Sequence, residues 1–444
     1  MLLAQATRRF VVGFTICGTL MRVLVFDRLG GIASEQIDIN KEPVQFIEVM
    51  LGFFRMSEED LGFDPTIKIT DGEPGIEIER NGRSECIVID GLIIRMRCMV
   101  GRPTTCWKAH VKDLLETPLV IKNSWQPSER DEEREMLKQA TSQNVVNVAR
   151  YYHHEIVRLD GMIDDVPLQR SDNKRAAHAP DEYTHKHKAT VRSNRLCPTP
   201  KQKDLLQVFE NKCYRATNTN RSASACYHVG LRQGHNNAIY KASSRKALLA
   251  CLEGCFKVQR PQISIRQRDI SINNLMINED PDNPSRKSFL IDLDFAINTE
   301  REKKPSVAQG KAGTRAFMAI GLLEGAEHTF MHDLESFFWV LFWLCIQYEG
   351  PGKAIEPTPY PSLNDLSDMT LACLKSGVIS NCKFSEPEKL EFTPYYQPLI
   401  PHVCKLRKLV FPGGRARDKP FPQLYSKMIK VLHKAQKDPA VLAE

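Results

Sequence analysis

The stretch "IRQRDISINNLMINE", residues 265–279, places Asp269 and, five residues later, Asn274 in an alternation of apolar and polar residues. Further on, the apolar run "FLIDLDFAI" delivers Asp292 and Asp294. Carboxylate and amide oxygens gathered at strand ends form the donor set that a hard divalent cation takes. Upstream, "PLVIKNSW" ends an apolar strand on Lys122, a cation suited to phosphate oxygens. The acidic helix in "SERDEEREMLKQA" then offers Glu133 and Glu135 to orient that lysine. Together these groups could hold a nucleotide and its metal in a cleft.

The elements that must position them change in character near residue 158. Before it come short β-branched runs broken by turns, with Asn81-Gly82 a strong signal for a two-residue hairpin, and one acidic helix at about 128–142. From 160 to 235 the chain turns polar and basic and loses apolar periodicity, which reads as a mostly irregular connection, at least partly disordered or laid on the surface. After 236 the pattern is helical. "ASSRKALLACLEGCFKV" opens on a serine pair suited to N-capping, and "HDLESFFWVLFWLCIQY" carries a broad apolar face. The expected organisation is a β-rich lobe over 1–157, a polar connection over 158–235, a helical lobe over 236–436 and a tail over 437–444.

Composition narrows the class. The chain has 444 residues, of which 42% are hydrophobic and 26% charged, a globular balance with material for large cores. A formal net charge of +7 without a basic block argues for no specific nucleic-acid partner. Thirteen cysteines without a CxxC pair read as thiols of a reducing, intracellular compartment, cytoplasmic or nuclear. The N-terminus "MLLAQATRRFVVGFTICGTLM" imitates a signal peptide, with Arg8 and Arg9 before an apolar run, but is followed at once by a second apolar run, "RVLVF", so a strand hairpin is expected. "FFWVLFWLCI" is too short for a span of roughly 20 residues, and no membrane partner is expected.

The recurring phrases of the chain resemble the fungal-type protein kinases. They include "LVIKNSWQ", "YKASSRKALLACLEGC", "RDISINNLMIN", "FLIDLDFAI", "GTRAFMAIGLLEG" and "HTFMHDLESFFWVLFWLCI", in that order. The resemblance implies an α+β, bilobal kinase-like fold with a β-rich first lobe and a helical second one. It also implies ATP and Mg²⁺ as cofactors and a protein substrate whose Ser or Thr hydroxyl receives the γ-phosphate. By that likeness Lys122 corresponds to the lysine on the α- and β-phosphates, with Glu133, or alternatively Glu135, as its helix partner. Asp269 corresponds to the catalytic-loop aspartate, Asn274 and Asp292 to the magnesium ligands with Asp294 as an auxiliary, and Asp333 to a helix aspartate bracing the loop.

The chain departs from the pattern in three places. Gln267 stands where the usual HRD triplet has histidine, and the connection before it, "CFKVQRPQISIRQ", is short. Asp292-Leu293-Asp294 replaces DFG. The phosphate-covering loop "MVGRPTTCW" keeps Gly101 but no second glycine, and Pro103 removes a backbone N–H. These departures imply low activity, and they leave a pseudokinase acting as a nucleotide-binding or protein-interaction scaffold as the alternative. A kinase acting on a small molecule is a weaker third reading.

Overall fold

The computed structural model describes residues 5, 7–27, 30–95, 104–127, 133–143, 145, 147–159, 162–163, 223–231, 236–259, 265–280, 287–298, 313–356, 363, 366–380, 391–417 and 419–443. The chain is α+β and divides into two compact units. One comprises Met1–Arg130 with Tyr152–Gly230, the other Asp131–Tyr151 with Leu231–Glu444. Strands dominate the first and helices the second. The helix Glu133–Ser142 belongs with the second unit.

In the first unit, β1 (Val11–Cys17) and β2 (Leu20–Asp27) form the antiparallel hairpin expected at the N-terminus, with Cys17 opposite Leu20. β3 (Gly30–Ala33) and β4 (Ile37–Asp38) both pair with β2. A helix that the sequence reading missed, Pro43–Arg55, lays Phe46, Met50 and Phe53 beside Val49 onto Met21, Val23 and Ile37. It escaped notice because no Ser, Thr, Asp or Asn cap marks its start: the N-cap is Glu42, whose side chain makes no capping bond.

The larger sheet of this unit contains β5 (Ile67–Thr70), β6 (Glu73–Arg80), β7 (Arg83–Arg95), β8 (Thr104–Val111), β9 (Leu114–Pro127) and β10 (Arg150–Ile156). Among the described residues its order is β10, then the strand Ala223–Leu231, then β9-β8-β7-β6-β5. Asn81 and Gly82 close the β6–β7 hairpin between Arg80 and Arg83, both at positive φ (52° and 73°), which a type I′ turn requires. Ala223–Leu231 lies inside the stretch expected to be mostly irregular. Its "ASACYHVGL" has one β-branched residue, too weak a signal to read as a strand. The remainder of 160–235, apart from Met162–Ile163, lies outside the described residues, as does 260–264 of the short connection.

The second unit is built around the helix Phe330–Gln347, whose side chains are buried on almost every side. Phe337 packs against Phe256 in a tilted pair at 4.3 Å between centroids, and Phe338 meets Phe411 edge-on at 5.1 Å. Phe256 ends the helix Arg245–Phe256, which Ser244 caps by accepting from the Ala247 N–H at 3.0 Å, so the serine pair marks this boundary as expected. Gly254 lets that helix approach the strand Ser288–Leu290. A Cβ there would sit 1.7 Å from Ser288 Oγ. Burial therefore selects a helix with no side chain at its crossing point.

Two buried ionisable side chains fix the backbone around Ala319. Glu335 accepts from the Ile320 N–H at 2.7 Å and from Trp339 Nε1 at 3.0 Å, while Lys375 donates to the Met318 carbonyl. Burial raises the carboxyl of Glu335 and pushes Lys375 down to about 7, an effect that the nearby carboxylate partly offsets. The two groups act as clamps on consecutive peptide units rather than as a surface ion pair.

Candidate active site

The strands Leu275–Asn278 and Ser288–Leu290 pair antiparallel, with Leu275 opposite Leu290. This register brings Asn274 and Asp292 out of neighbouring strand ends, and the Ile291 N–H donates to the Asn274 carbonyl at 3.0 Å. The Asn274 amide nitrogen then donates to the main-chain carbonyl of Asp269 at 2.9 Å and to its Oδ2 at 3.1 Å. With the nitrogen so committed, the side-chain oxygen is the atom that Asn274 has left to accept or coordinate. The other oxygen of Asp269, Oδ1, accepts from the Thr314 N–H at 2.7 Å and from Thr314 Oγ1 at 2.8 Å. Gly313, at φ +114°, permits this approach, since a Cβ there would meet the Arg268 carbonyl at 2.7 Å.

The next turn gathers negative charge. Asp292 is held at φ 61°, a left-handed conformation that Asp tolerates better than most residues. Its Oδ1 lies 3.4 Å from the Asp294 N–H, and the Leu293 N–H donates to Glu133 Oε1 at 2.7 Å. Carboxylate oxygens of Glu133, Asp292 and Asp294 all lie within 4.8 Å of one another. Three carboxylates so close repel one another unless a cation or donors intervene. An all-oxygen set of this size fits Mg²⁺, which keeps several waters and takes one or two carboxylates. Of the two glutamates offered by the sequence, Glu133 is buried and turned to this strand end. Glu135 is exposed and pairs with Arg134 at 3.3 Å.

Beneath the loop, Gln267 is fully buried. Its Nε2 donates to the carbonyls of Ile291 at 3.0 Å and Asp292 at 2.8 Å, so one amide ties the loop to the acidic turn. Arg268 follows at φ 67°, and its N–H reaches Asp333 Oδ2 at 3.4 Å. Asp333 therefore braces the loop backbone from the long helix. Its Oδ1 lies 2.6 Å from His328 Nε2.

His332, the other histidine of the "HTFMHD" segment, is a cap: its Nδ1 accepts from the Thr329 N–H at 3.0 Å. Burial, reinforced by neighbouring His328, pushes His332 down to about 4. The unfolded chain takes up this proton near pH 6.5 while the native state resists it until about pH 4, so stability falls as pH drops through that window. The loss amounts to roughly 3 kcal/mol by linkage. Urea unfolding measured between pH 7 and 4 should show this decline, and His332→Gln should flatten it; an unchanged slope in the variant would place the acid lability elsewhere.

The described residues thus bring Asp269, Asn274, Asp292, Asp294 and Glu133 together within the second unit. Lys122 belongs to the first, where it is partly buried on β9 opposite Cys106 of β8. Gly101 lies outside the described residues. Sequence reasoning overlooked Thr314 as a partner of Asp269, although the Gly313-Thr314 pair in "GTRAFMAI" marks a close backbone approach followed by a hydroxyl. It also missed the bond from Leu293 to Glu133, which depends on a contact 160 residues apart.

Residues 1–345 match the family model for fungal protein kinases. The chain belongs to this family. No curated protein matches it. Membership makes the chain a kinase-type protein, and kinases in general use ATP and Mg²⁺. Among the described residues, no helix of this fungal protein kinase is long and apolar enough to cross a membrane.

Proposed function

We propose that this kinase transfers the γ-phosphate of ATP to a protein Ser or Thr hydroxyl, at a low rate. The observation that carries this reading is the paired grip on Asp269. Asn274 fixes one carboxylate oxygen and Thr314 the other, which orients a base by neighbours from two different segments. In the proposed roles Asp269 orients the acceptor hydroxyl and takes its proton, and Lys122 holds the α- and β-phosphates with Glu133 as its helix partner. Gly101, outside the described residues, would serve as the glycine of the phosphate-covering loop. Asn274 and Asp292 would hold Mg²⁺, with Asp294 as auxiliary, and the ion would neutralise charge spreading over the transferring phosphoryl group. The protein's remaining task is positioning.

A second reading, a pseudokinase scaffold, draws on the same residues. Asp269 already accepts from the Asn274 amide and from the Thr314 N–H and hydroxyl, so its carboxylate is largely occupied by the protein's own donors before a hydroxyl arrives. The proline in the phosphate loop points the same way. Thermal unfolding with ATP, with and without Mg²⁺, tests nucleotide use. At ATP near 100 times its Kd the native state gains about 2.7 kcal/mol, so a clear rise in Tm that requires Mg²⁺ is expected. No rise in either condition would remove ATP from the account and leave the scaffold.

A further inference from the structure

The helices Ile400–Val410 and Leu424–Ala435 pack against each other in the second unit and leave an open groove of about 370 Å³ along their contact. Lys405 and Lys408 line it from the first helix, Lys430 and Lys434 from the second, at spacings of three and four residues that turn each pair to one face of its helix. All four are exposed. Leu409 and Val431, partly buried against the core, supply its apolar part. His402, also in the lining, lies 2.8 Å from Asp438, whose other oxygen accepts from the Ala440 N–H at 3.0 Å, so this carboxylate is engaged by groups of its own chain. No acid lines the groove.

Charge sets this groove apart from the rest of the molecule. Residues 400–437 carry ten Lys and Arg against a single acid, Asp418, whereas the remainder of the chain holds 51 basic and 53 acidic residues. The whole formal charge of +7 therefore comes from this helix pair and its connection, although no run of like charges shows it in the sequence. Other cations of the segment have contacts within the protein: Arg407 donates to the Ile379 carbonyl, Arg417 donates to the Leu409 carbonyl, and Lys427 lies over the Phe421 ring at 4.8 Å. Among the described residues the four groove lysines form no ion pair. Like charges along a concave surface reinforce one another's field and draw a counter-charge. Shape then selects among anionic partners. A bilayer is flat and is met by apolar or aromatic anchors, which this concave lysine rim lacks. Single-stranded nucleic acid takes aromatic side chains on which its bases stack, and none lines the groove. Lysines on two walls beside an apolar strip are complementary to a peptide whose carboxylates flank an apolar side chain.

We infer that this groove docks an acidic linear segment of a partner protein, with its carboxylates on Lys405 and Lys408 along one wall and on Lys430 and Lys434 along the other. The inference stands apart from the phosphoryl-transfer reading, because none of these residues belongs to the candidate active site and binding is measured without ATP. Fluorescence anisotropy of a short labelled peptide in which glutamates flank a leucine, titrated with the full chain, should show saturable binding. Raising the salt should weaken it, since the screening length is only about 8 Å at physiological ionic strength. The same peptide with glutamines in place of glutamates should bind roughly tenfold more weakly or worse. Lys408→Glu with Lys430→Glu should weaken the glutamate peptide by roughly tenfold or more, while circular dichroism and thermal unfolding stay near wild type, since both side chains already face solvent. That variant should in turn hold a peptide with lysines in place of glutamates better than the wild type does. No saturable binding of the glutamate peptide would overturn the inference, as would equal binding of the glutamine peptide or a double variant that binds both charged peptides like the wild type. Single-stranded nucleic acid or anionic vesicles that displace the peptide and bind more tightly would overturn it as well, by giving the groove to another class of partner.

Discussion

Asp269→Asn is expected to lower the phosphorylation rate by roughly 10²–10⁴-fold, the range that a positioned general base contributes, with little change in ATP affinity. The substitution keeps the oxygen that Thr314 grips from its N–H and Oγ1, at 2.7 and 2.8 Å. It replaces the other oxygen by an amide nitrogen that faces the Asn274 nitrogen, where a 3.1 Å bond stood. The variant therefore loses one hydrogen bond and the proton acceptor, while Gly313 and the loop backbone keep their contacts. Thr314→Val separates position from chemistry, since it removes the hydroxyl contact and leaves the backbone one. Phosphate transfer from labelled ATP, followed in all three proteins with nucleotide binding measured beside it, decides the matter. Transfer unaffected by Asp269→Asn would end the catalytic reading.

Asp292→Asn should remove the Mg²⁺ dependence of ATP binding and cost on the order of 100-fold or more in metal-supported rate, because even partners outside the ligand shell are worth roughly 10–100-fold. Asparagine is the appropriate replacement. Position 292 sits at φ 61°, where Asn is tolerated and Ala would add about 1–2 kcal/mol of backbone strain. The variant also relieves crowding with Glu133 and Asp294, whose oxygens lie within 4.8 Å of its own. A native state as stable as the wild type without Mg²⁺, yet no longer stabilised by adding it with ATP, is the expected pattern in thermal unfolding. Metal-dependent binding equal to wild type would assign the ion to other residues.

What was legible in the sequence was mostly local. The Asn81-Gly82 turn, the serine cap at 244 and the pairing of two apolar runs at the N-terminus each rest on residues within a few positions of one another. Asp269, Asn274 and Asp292 were visible because they flank short strands, and the antiparallel register places their ends together. The Pro43–Arg55 helix was not visible, since its start is marked by Glu42, which makes no capping bond, and not by a Ser, Thr, Asp or Asn cap. Nor was the contact between Glu133 and Leu293, which the folding of the second unit creates between positions far apart in the chain. Thr314 was quoted with its segment and left without a role, because its partner lies 45 residues upstream.

The amide of Gln267, bonded to the carbonyls of Ile291 and Asp292, has a consequence for how this region comes apart. Further bonds run from Ile291 to Asn274, from Leu293 to Glu133, from Thr314 to Asp269 and from Arg268 to Asp333, so each segment is fastened to at least one other. No strand end here can fray without releasing the loop as well. In the language of native-state exchange, the amides of Ile291, Leu293 and Thr314 are expected to open as one cooperative unit with one opening free energy, although they come from two separate stretches of chain; exchange at clearly different free energies would show that the bonds open singly.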